Sequence, residues 1–182
     1  MKSLKELLLE KLGNTNAIRI EAEEYIDENY DIEGELTFEI TNGVCAVDCD
    51  GNVFVENKEI AKLTDGFVWG KVKGDFSCSF CNKIKSLKGS PEEVGGYFDC
   101  GGCEKLESLE GAPKEVGNFF DCRDCNNLTS LEGAPEKVDG YFNYSYCNNL
   151  TSLEGAPKEV GGIFHCNSCK NLKSLEGAPE KN

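Results

Sequence analysis

A repeat with a fixed period of 22 residues dominates the second half of the sequence. From residue 76 onward the same unit recurs without insertion or deletion. All five prolines of the chain keep this period: Pro91, Pro113, Pro135, Pro157 and Pro179. A period without slippage predicts that each unit forms one coil, which stacks on the coil before it.

The residues within one unit predict how the chain runs around the coil. Phe98 and Cys100 are two residues apart, so both point to the same side of a strand. Leu106 and Leu109 follow at a spacing of three, as expected for a chain that turns around a core. Gly and Pro in residues 111–113 supply the return bend. No coil contains a long helical pattern, so we expect its remaining side to be extended or 3₁₀.

The pattern of the unit resembles the leucine-rich repeat, whose core is Leu-x-x-Leu-x-Leu-x-x-Asn/Cys-x-Leu. Residues 94–106 read Val-x-x-x-Phe-x-Cys-x-x-Cys-x-x-Leu, with one extra residue after Val and one before Leu. The unit Asn-Asn-Leu-Thr-Ser-Leu-Glu-Gly-Ala-Pro is also similar to repeats of bacteriophage and prophage proteins. The resemblance covers about residues 72–182 and implies a solenoid with a parallel sheet.

Residues 1–72 lie outside the repeat and predict a cap for one end of the solenoid. Ser3-x-x-Glu6 is a capping box, and the leucines that follow predict a helix that ends at Gly13. Ile18 and Ile20 alternate with charged residues, which predicts a short strand. A solenoid needs such a cap because its end exposes apolar side chains and unpaired strand edges.

Further strands are predicted in the cap at residues 35–40, 44–49 and 52–56, and 60–63 and 67–72 could extend this meander. Asn42-Gly43 and Asp50-Gly51 are typical hairpin turns and would join the first three strands. Phe54 lies one period before Phe76, so the solenoid could begin one coil early.

These features together predict an α+β chain with two parts. A small, acidic N-terminal α+β cap occupies residues 1–72. A leucine-rich-repeat-like solenoid with a parallel sheet occupies residues 73–182, in about five coils of 22 residues. The last of these coils, around Pro179, carries no divergent capping unit, so we expect it to fray, to meet a partner, or to support self-association.

Eight of the eleven cysteines form Cys-x-x-Cys pairs on the repeat: Cys78/Cys81, Cys100/Cys103, Cys122/Cys125 and Cys166/Cys169. Two such pairs can supply four thiolates to zinc. In the fourth coil, however, Tyr144 replaces the first cysteine and leaves Cys147 alone. A packing role tolerates that change, so we expect buried thiols that donate to backbone carbonyls, with no metal or other cofactor. A zinc-binding repeat protein and redox chemistry remain as alternatives, and Cys45 and Cys49 are predicted core residues.

The net charge of −14 limits the partners that the protein can bind. Without a basic surface, direct binding to nucleic acid or to an anionic membrane is disfavoured. Between Ile20 and Ile40 the sequence has nine acidic residues and no Lys or Arg. This segment is either a solvated surface or an acidic patch that meets a basic protein, imitating the phosphates of nucleic acid.

If Phe and Cys point inward, their neighbours in the strand point outward and form columns along the solenoid. Aromatic and acidic residues side by side are typical of a protein-binding face, although stacked rings can also serve only to stabilise a sheet. The candidate partner-binding residues are Tyr97, Asp99, Phe119, Asp121, Tyr141, Asn143, Tyr146, Ile163 and His165 on the solenoid, and Glu23, Glu24, Asp27 and Glu28 on the cap.

Catalytic motifs are not apparent, so we expect a protein that is not an enzyme. The sequence shows no phosphate-binding loop, no paired-His zinc motif and no nucleophile elbow. Asp99 and Asp121 would lie about 5 Å apart on neighbouring strands, where one carboxyl pKa would rise, but repeats create such pairs automatically. The apolar run at Leu7 is too short for a signal peptide, which favours a cytoplasmic protein.

The predicted function is therefore non-enzymatic binding of another protein through the solenoid face, the cap, or both. The alternative is a phage-encoded inhibitor that blocks a nucleic-acid-binding host defence protein by acidic mimicry.

Overall fold

The computed structural model describes residues 14–179, which begin with a helix rather than with the predicted strand. Helix α1 spans Asn14–Asn29. It buries Ala22 and Ile26, with Ile18 packed against the core at the same spacing of four residues. That spacing is helical, so the short alternation around Ile18 was misleading. The helix predicted from Ser3 to Gly13 lies outside the described residues.

Residues 14–179 form two sheets of seven strands each. Sheet I contains, in spatial order, β1 (Tyr30–Glu33), β4 (Asn52–Val55), β6 (Phe76–Ser77), β8 (Phe98–Asp99), β10 (Phe120–Asp121), β12 (Phe142–Asn143) and β14 (Phe164–His165). Sheet II contains β2 (Leu36–Thr41), β3 (Val44–Cys49), β5 (Phe67–Val72), β7 (Glu93–Val94), β9 (Glu115–Val116), β11 (Lys137–Val138) and β13 (Glu159–Val160).

Each coil of the repeat adds one short parallel strand to each sheet. Phe120 pairs with Phe98 below and Phe142 above in sheet I. Val138 pairs with Val116 and Val160 in sheet II. The predicted α+β cap and parallel-sheet solenoid are thus confirmed. The strands of sheet II, one per coil, form an extended side of the coil, where the sequence predicted extended or 3₁₀ structure.

The core is a set of identical residues stacked along the solenoid. The rings of Phe76, Phe98, Phe120 and Phe142 are fully buried, and neighbouring centroids lie 5.1 to 5.4 Å apart. The leucines that follow each cysteine pair, such as Leu106 and Leu109, are also fully buried in the inner coils. Each fully buried large side chain contributes about 1.5–3 kcal/mol, so stacking rather than any single coil stabilises the fold.

The two predicted hairpins have different outcomes. Asn42-Gly43 does join a hairpin, since β2 pairs antiparallel with β3 and both turn residues have positive φ. Asp50-Gly51 does not, because β3 belongs to sheet II and β4 to sheet I. The chain there crosses between the sheets, and the Asp50 carboxylate accepts a hydrogen bond from the Glu35 amide. The predicted meander is also wrong, because β5 runs parallel to β3 and residues 60–63 form no strand.

Stacking begins one coil before Phe76, as the sequence suggested, but with a different register. Val53, not Phe54, pairs with Phe76, and the ring of Phe54 stands beside Ser77 on the outer side. This coil is therefore one residue longer than the later ones. Strand β1 then pairs antiparallel with β4 and ends sheet I on the side of the cap.

Candidate functional site

The outer surface of sheet I carries a row of stacked aromatic rings. The rings of Tyr97, Phe119 and Tyr141, here called the ring row, lie parallel within 5°, with centroids 4.7 Å apart. Each residue directly precedes a short strand, so the repeat places one ring per coil. Tyr141 is 37% exposed, and Ile163 continues the row at 64% exposure. Because the rings cover one another's faces, their edges form the outer surface of the row.

A row of polar side chains runs beside the ring row and is held in place by the backbone. This polar row consists of Asp99, Asp121, Asn143 and His165, one from each successive strand. The amides of the residues two positions later donate to Asp99, Asp121 and Asn143 at 2.8 to 3.0 Å. The side-chain amide of Asn143 also donates to Asp121 Oδ2 at 3.3 Å. The carboxylates of Asp99 and Asp121 are therefore held in place by hydrogen bonds within the chain.

The carboxylate of Asp99 responds to its surroundings and to its neighbour Asp121 in the ladder. Burial raises the pKa of Asp99, the Gly101 amide opposes that shift, and the charge of Asp121 raises the pKa further. Asp121 itself is buried, and Arg123 Nε lies 3.6 Å from its Oδ2. Burial, together with the charges of Asp75 and Asp99, also raises the pKa of Tyr97. A cation placed here would relieve this repulsion.

Tyr146 borders the two rows, and His165, the last member of the polar row, contacts the ring row. Tyr146 is 49% exposed and has a φ of 63°, a left-handed turn position that it shares with Phe80 and Asp124. The His165 ring packs edge-on against Tyr141, with centroids 5.7 Å apart. The ring row, the polar row, Ile163 and Tyr146 therefore form one continuous surface, here called the strand face.

The cap extends the strand face, which the sequence did not reveal. In β1 and β4, Asp31 lies opposite Phe54, and Phe54 lies beside Ser77 at the foot of the polar row. Glu33 and Asn52 are likewise neighbours below Asp75. The cap strands lie outside the repeat, so no periodicity could place them. The cap strand β1 therefore adds the acidic residues Asp31 and Glu33 to this surface.

The four acids predicted on the cap lie on α1, separate from the ring row. Asp27, Glu24 and Glu28 are exposed on the helix, while Glu23 forms an ion pair with Arg19 at 2.9 Å. Glu24 and Glu28, together with Glu21 and Asp65, line an open depression beside Tyr25. The helix thus turns Ala22 and Ile26 inward and a row of carboxylates outward.

The cysteines form the predicted ladder of thiols and carbonyls. The thiols of Cys103, Cys125 and Cys147 each donate to a carbonyl of the preceding coil at 3.2 Å. Cys169 repeats the contact with the Tyr144 carbonyl, so the bond survives where tyrosine replaces cysteine. Within residues 14–179, no three His, Cys, Asp or Glu side chains are grouped so that they could hold a metal ion.

Burial favours the protonated form of the Cys81, Cys100 and Cys122 thiols. Burial and a hydrogen bond with Cys125 raise the pKa of Cys100 well above its ordinary value. Burial raises the pKa of Cys81 to about 12. Thiolates are the reactive and metal-binding form of cysteine, so these groups act as packing residues and weak donors. Cys45 and Cys49 are buried in the cap core, as predicted.

The fold defines a β-solenoid closed at one end by an α+β cap. Comparison with protein-family models, with curated proteins and with solved structures found no match. Among residues 14–179, no helix has both the length and the apolar composition needed to cross a membrane.

Proposed function

We propose that the chain is a non-enzymatic binding module whose protein partner docks on the strand face. The observation that carries this proposal is the ring row beside the polar row. Aromatic residues are the anchors of most protein interfaces, and fixed charges at their side set the register of the partner. Ile163, Tyr146 and Tyr141 are exposed on this face.

The resemblance of the repeat to phage proteins fits this role, because solenoids present extended surfaces to partners. The protein acts in the cytoplasm, since the thiol ladder requires reduced cysteines and the cytosol keeps thiols reduced. The acidic cap end of the face favours a basic partner, whose approach the net charge of −14 would accelerate.

A triple variant tests the strand face. Tyr97, Phe119 and Tyr141 are changed together to Ser, and capture from a lysate of the native host is compared with wild type by mass spectrometry. The polypeptide that binds wild type should be lost. A control variant with Phe at positions 97 and 141 keeps the ring row and should keep that polypeptide. Equal capture by wild type and the Ser variant would refute the proposal.

A second candidate function is inhibition of a nucleic-acid-binding host defence protein by acidic mimicry. The depression lined by Glu21, Glu24, Glu28 and Asp65 favours it, because these carboxylates face one side of α1. Such a partner should be released by competing double-stranded DNA, and changing Glu24 and Glu28 to Gln should weaken its capture. A partner that resists DNA but requires the ring row would exclude this candidate.

A further inference from the structure

Strand β2 (Leu36–Thr41) is the outermost strand of sheet II on the side of the cap. It pairs with β3 on one edge, and within residues 14–179 no strand pairs with its other edge. Proteins usually protect such an edge with a short strand, with Lys or Pro, or with a bulge. Strand β2 has six residues, contains neither Lys nor Pro, and pairs with β3 in continuous register. By contrast β1, at the same side of sheet I, has four residues and carries Asp31 and Glu33.

The turn between β2 and β3 determines which backbone groups of β2 face its free edge. The turn consists of Asn42 and Gly43, both of which have positive φ. In a two-residue hairpin of this kind the flanking residues, here Thr41 and Val44, exchange hydrogen bonds with each other. Along an antiparallel pair, bonded residue pairs then alternate with non-bonded ones.

This alternation leaves the amide and carbonyl of every second residue of β2 without a partner in β3. Counting back from Thr41, the backbone groups of Glu39 and Thr37 bond to β3. The backbone groups of the residues between them point away from β3, to the free edge. These outward residues are Leu36, Phe38 and Ile40. The free edge therefore offers alternating donors and acceptors to a further antiparallel strand.

The side chains of β2 match a second copy of the same strand, laid antiparallel about Phe38. Phe38 then lies opposite Phe38, and Leu36 lies opposite Ile40, so that apolar residues meet apolar residues. On the other face of the strand Thr37 lies opposite Glu39, and like charges do not face each other directly. The apolar residues of β2 are half-buried in the single chain, so this pairing covers more of their surface.

We propose that β2 pairs with β2 of a second copy of the chain, which joins the two copies of sheet II across a twofold axis at Phe38. Each pair of outward residues exchanges two hydrogen bonds. The contact is self-complementary and closes at two copies, because each copy contributes its β2 edge once. It uses sheet II and leaves the strand face on sheet I open. One strand pair is small compared with the roughly 800 Å² per partner of stable complexes, so the dimer is weak and depends on concentration.

Sedimentation equilibrium of the 182-residue chain between about 10 µM and about 1 mM tests the dimer. The weight-average mass should rise from the 20.0 kDa of one chain toward twice that value. Because each copy carries a net charge of −14, raising sodium chloride from about 0.05 M to about 0.5 M should lower the dissociation constant. Hydrogen exchange at the amides of Leu36, Phe38 and Ile40 should slow at high protein concentration. The amides of Thr37 and Glu39 should be protected at every concentration.

A change of charge on β2 tests the register of the pairing. Thr37→Glu places a carboxylate opposite Glu39 of the second copy, and the twofold axis repeats this repulsion. The dissociation constant should rise about tenfold. Adding Glu39→Lys turns both pairs into pairs of opposite charge and should return the dissociation constant to within about twofold of wild type. Both residues are exposed, so the variants should fold, as circular dichroism would verify.

Thr129→Glu is the matched control, because it makes the same change of charge at an exposed threonine of the solenoid. Its dissociation constant should stay within about twofold of wild type. A chain that stays at 20.0 kDa over the whole range would overturn the proposal and leave the β2 edge to a strand of another protein. A Thr37→Glu variant that dimerises like wild type, or a Thr129→Glu variant that is equally weakened, would overturn it as well. So would a double variant that dimerises no better than Thr37→Glu alone.

Discussion

The stacking of phenylalanine rings predicts that the cost of a substitution depends on the position of the coil. Phe120 is fully buried, and its ring stacks on Phe98 and Phe142 at centroid distances of 5.1 and 5.2 Å. Phe120→Ala removes the buried side chain, leaves a cavity and breaks two ring contacts. We expect it to lower the free energy of unfolding by about 4–5 kcal/mol.

The same substitution in the last described coil should cost much less. Phe164 is half-buried and stacks on Phe142 from one side only, at 5.5 Å. Phe164→Ala should therefore lower the free energy of unfolding by about 1–2 kcal/mol. Two chemically identical changes would then differ by roughly 3 kcal/mol because of their place in the stack.

Urea unfolding followed by circular dichroism and by fluorescence measures both costs. Trp69 is the only tryptophan and is buried near the cap, where its ring packs edge-on against Phe76. Coincident transitions in the two signals would justify a single free energy of unfolding for each variant. Equal costs for Phe120→Ala and Phe164→Ala would refute the stacking argument, since both rings would then have equivalent surroundings.

Two further substitutions test the spacing of the coils and the electrostatics of the strand face. Gly117→Ala should lower the free energy of unfolding by about 1–3 kcal/mol or more, because its Cβ would lie 2.2 Å from the Gly95 carbonyl oxygen. In Gly101→Ala the nearest contact of the new Cβ would be a side-chain atom at 3.1 Å. Its free energy of unfolding should therefore stay within about 0.5 kcal/mol of wild type in the same urea experiment. Asp99→Asn should raise stability at pH 7, because the folded-state pKa of Asp99 is raised and its charged form is disfavoured by folding. The gain should vanish as the pH falls below the ordinary carboxyl pKa of 3.8, where wild-type Asp99 is neutral in both states. Asp121→Asn should lower the pKa of Asp99 in an NMR titration, and an unchanged or higher pKa would show that the charge of Asp121 does not act on it.

The repeat made the interior of the solenoid predictable from the sequence. A side chain that recurs at one coil position must meet its own copies, so Phe98 and Cys100 could be placed inside and Tyr97 and Asp99 outside. The thiol ladder followed from the same logic, because the replacement of one cysteine by Tyr144 fits packing better than metal binding. Here the local pattern and the global fold impose the same constraint.

The cap was less predictable because its residues occur once. Around Ile18, apolar and charged residues alternate over four positions, which is typical of a strand. Ile18, Ala22 and Ile26 are also spaced four residues apart, which is typical of a helix, and the structure follows this longer pattern. Asp50-Gly51 has the residues of a hairpin turn, but the pairing of flanking strands depends on distant partners such as Val72. Long-range pairing of that kind leaves no local signal in the sequence.

Whether the interior cysteines bind metal is the most direct test of the account. The account holds that these cysteines fill the interior of stacked coils, so that the strand face remains free for a partner. Protein purified without chelator under reducing conditions should be analysed for zinc by inductively coupled plasma mass spectrometry. The thiol ladder predicts much less than one zinc atom per chain. One or more zinc atoms per chain, lost together with the folded structure when the cysteine pairs are changed to Ser, would contradict it.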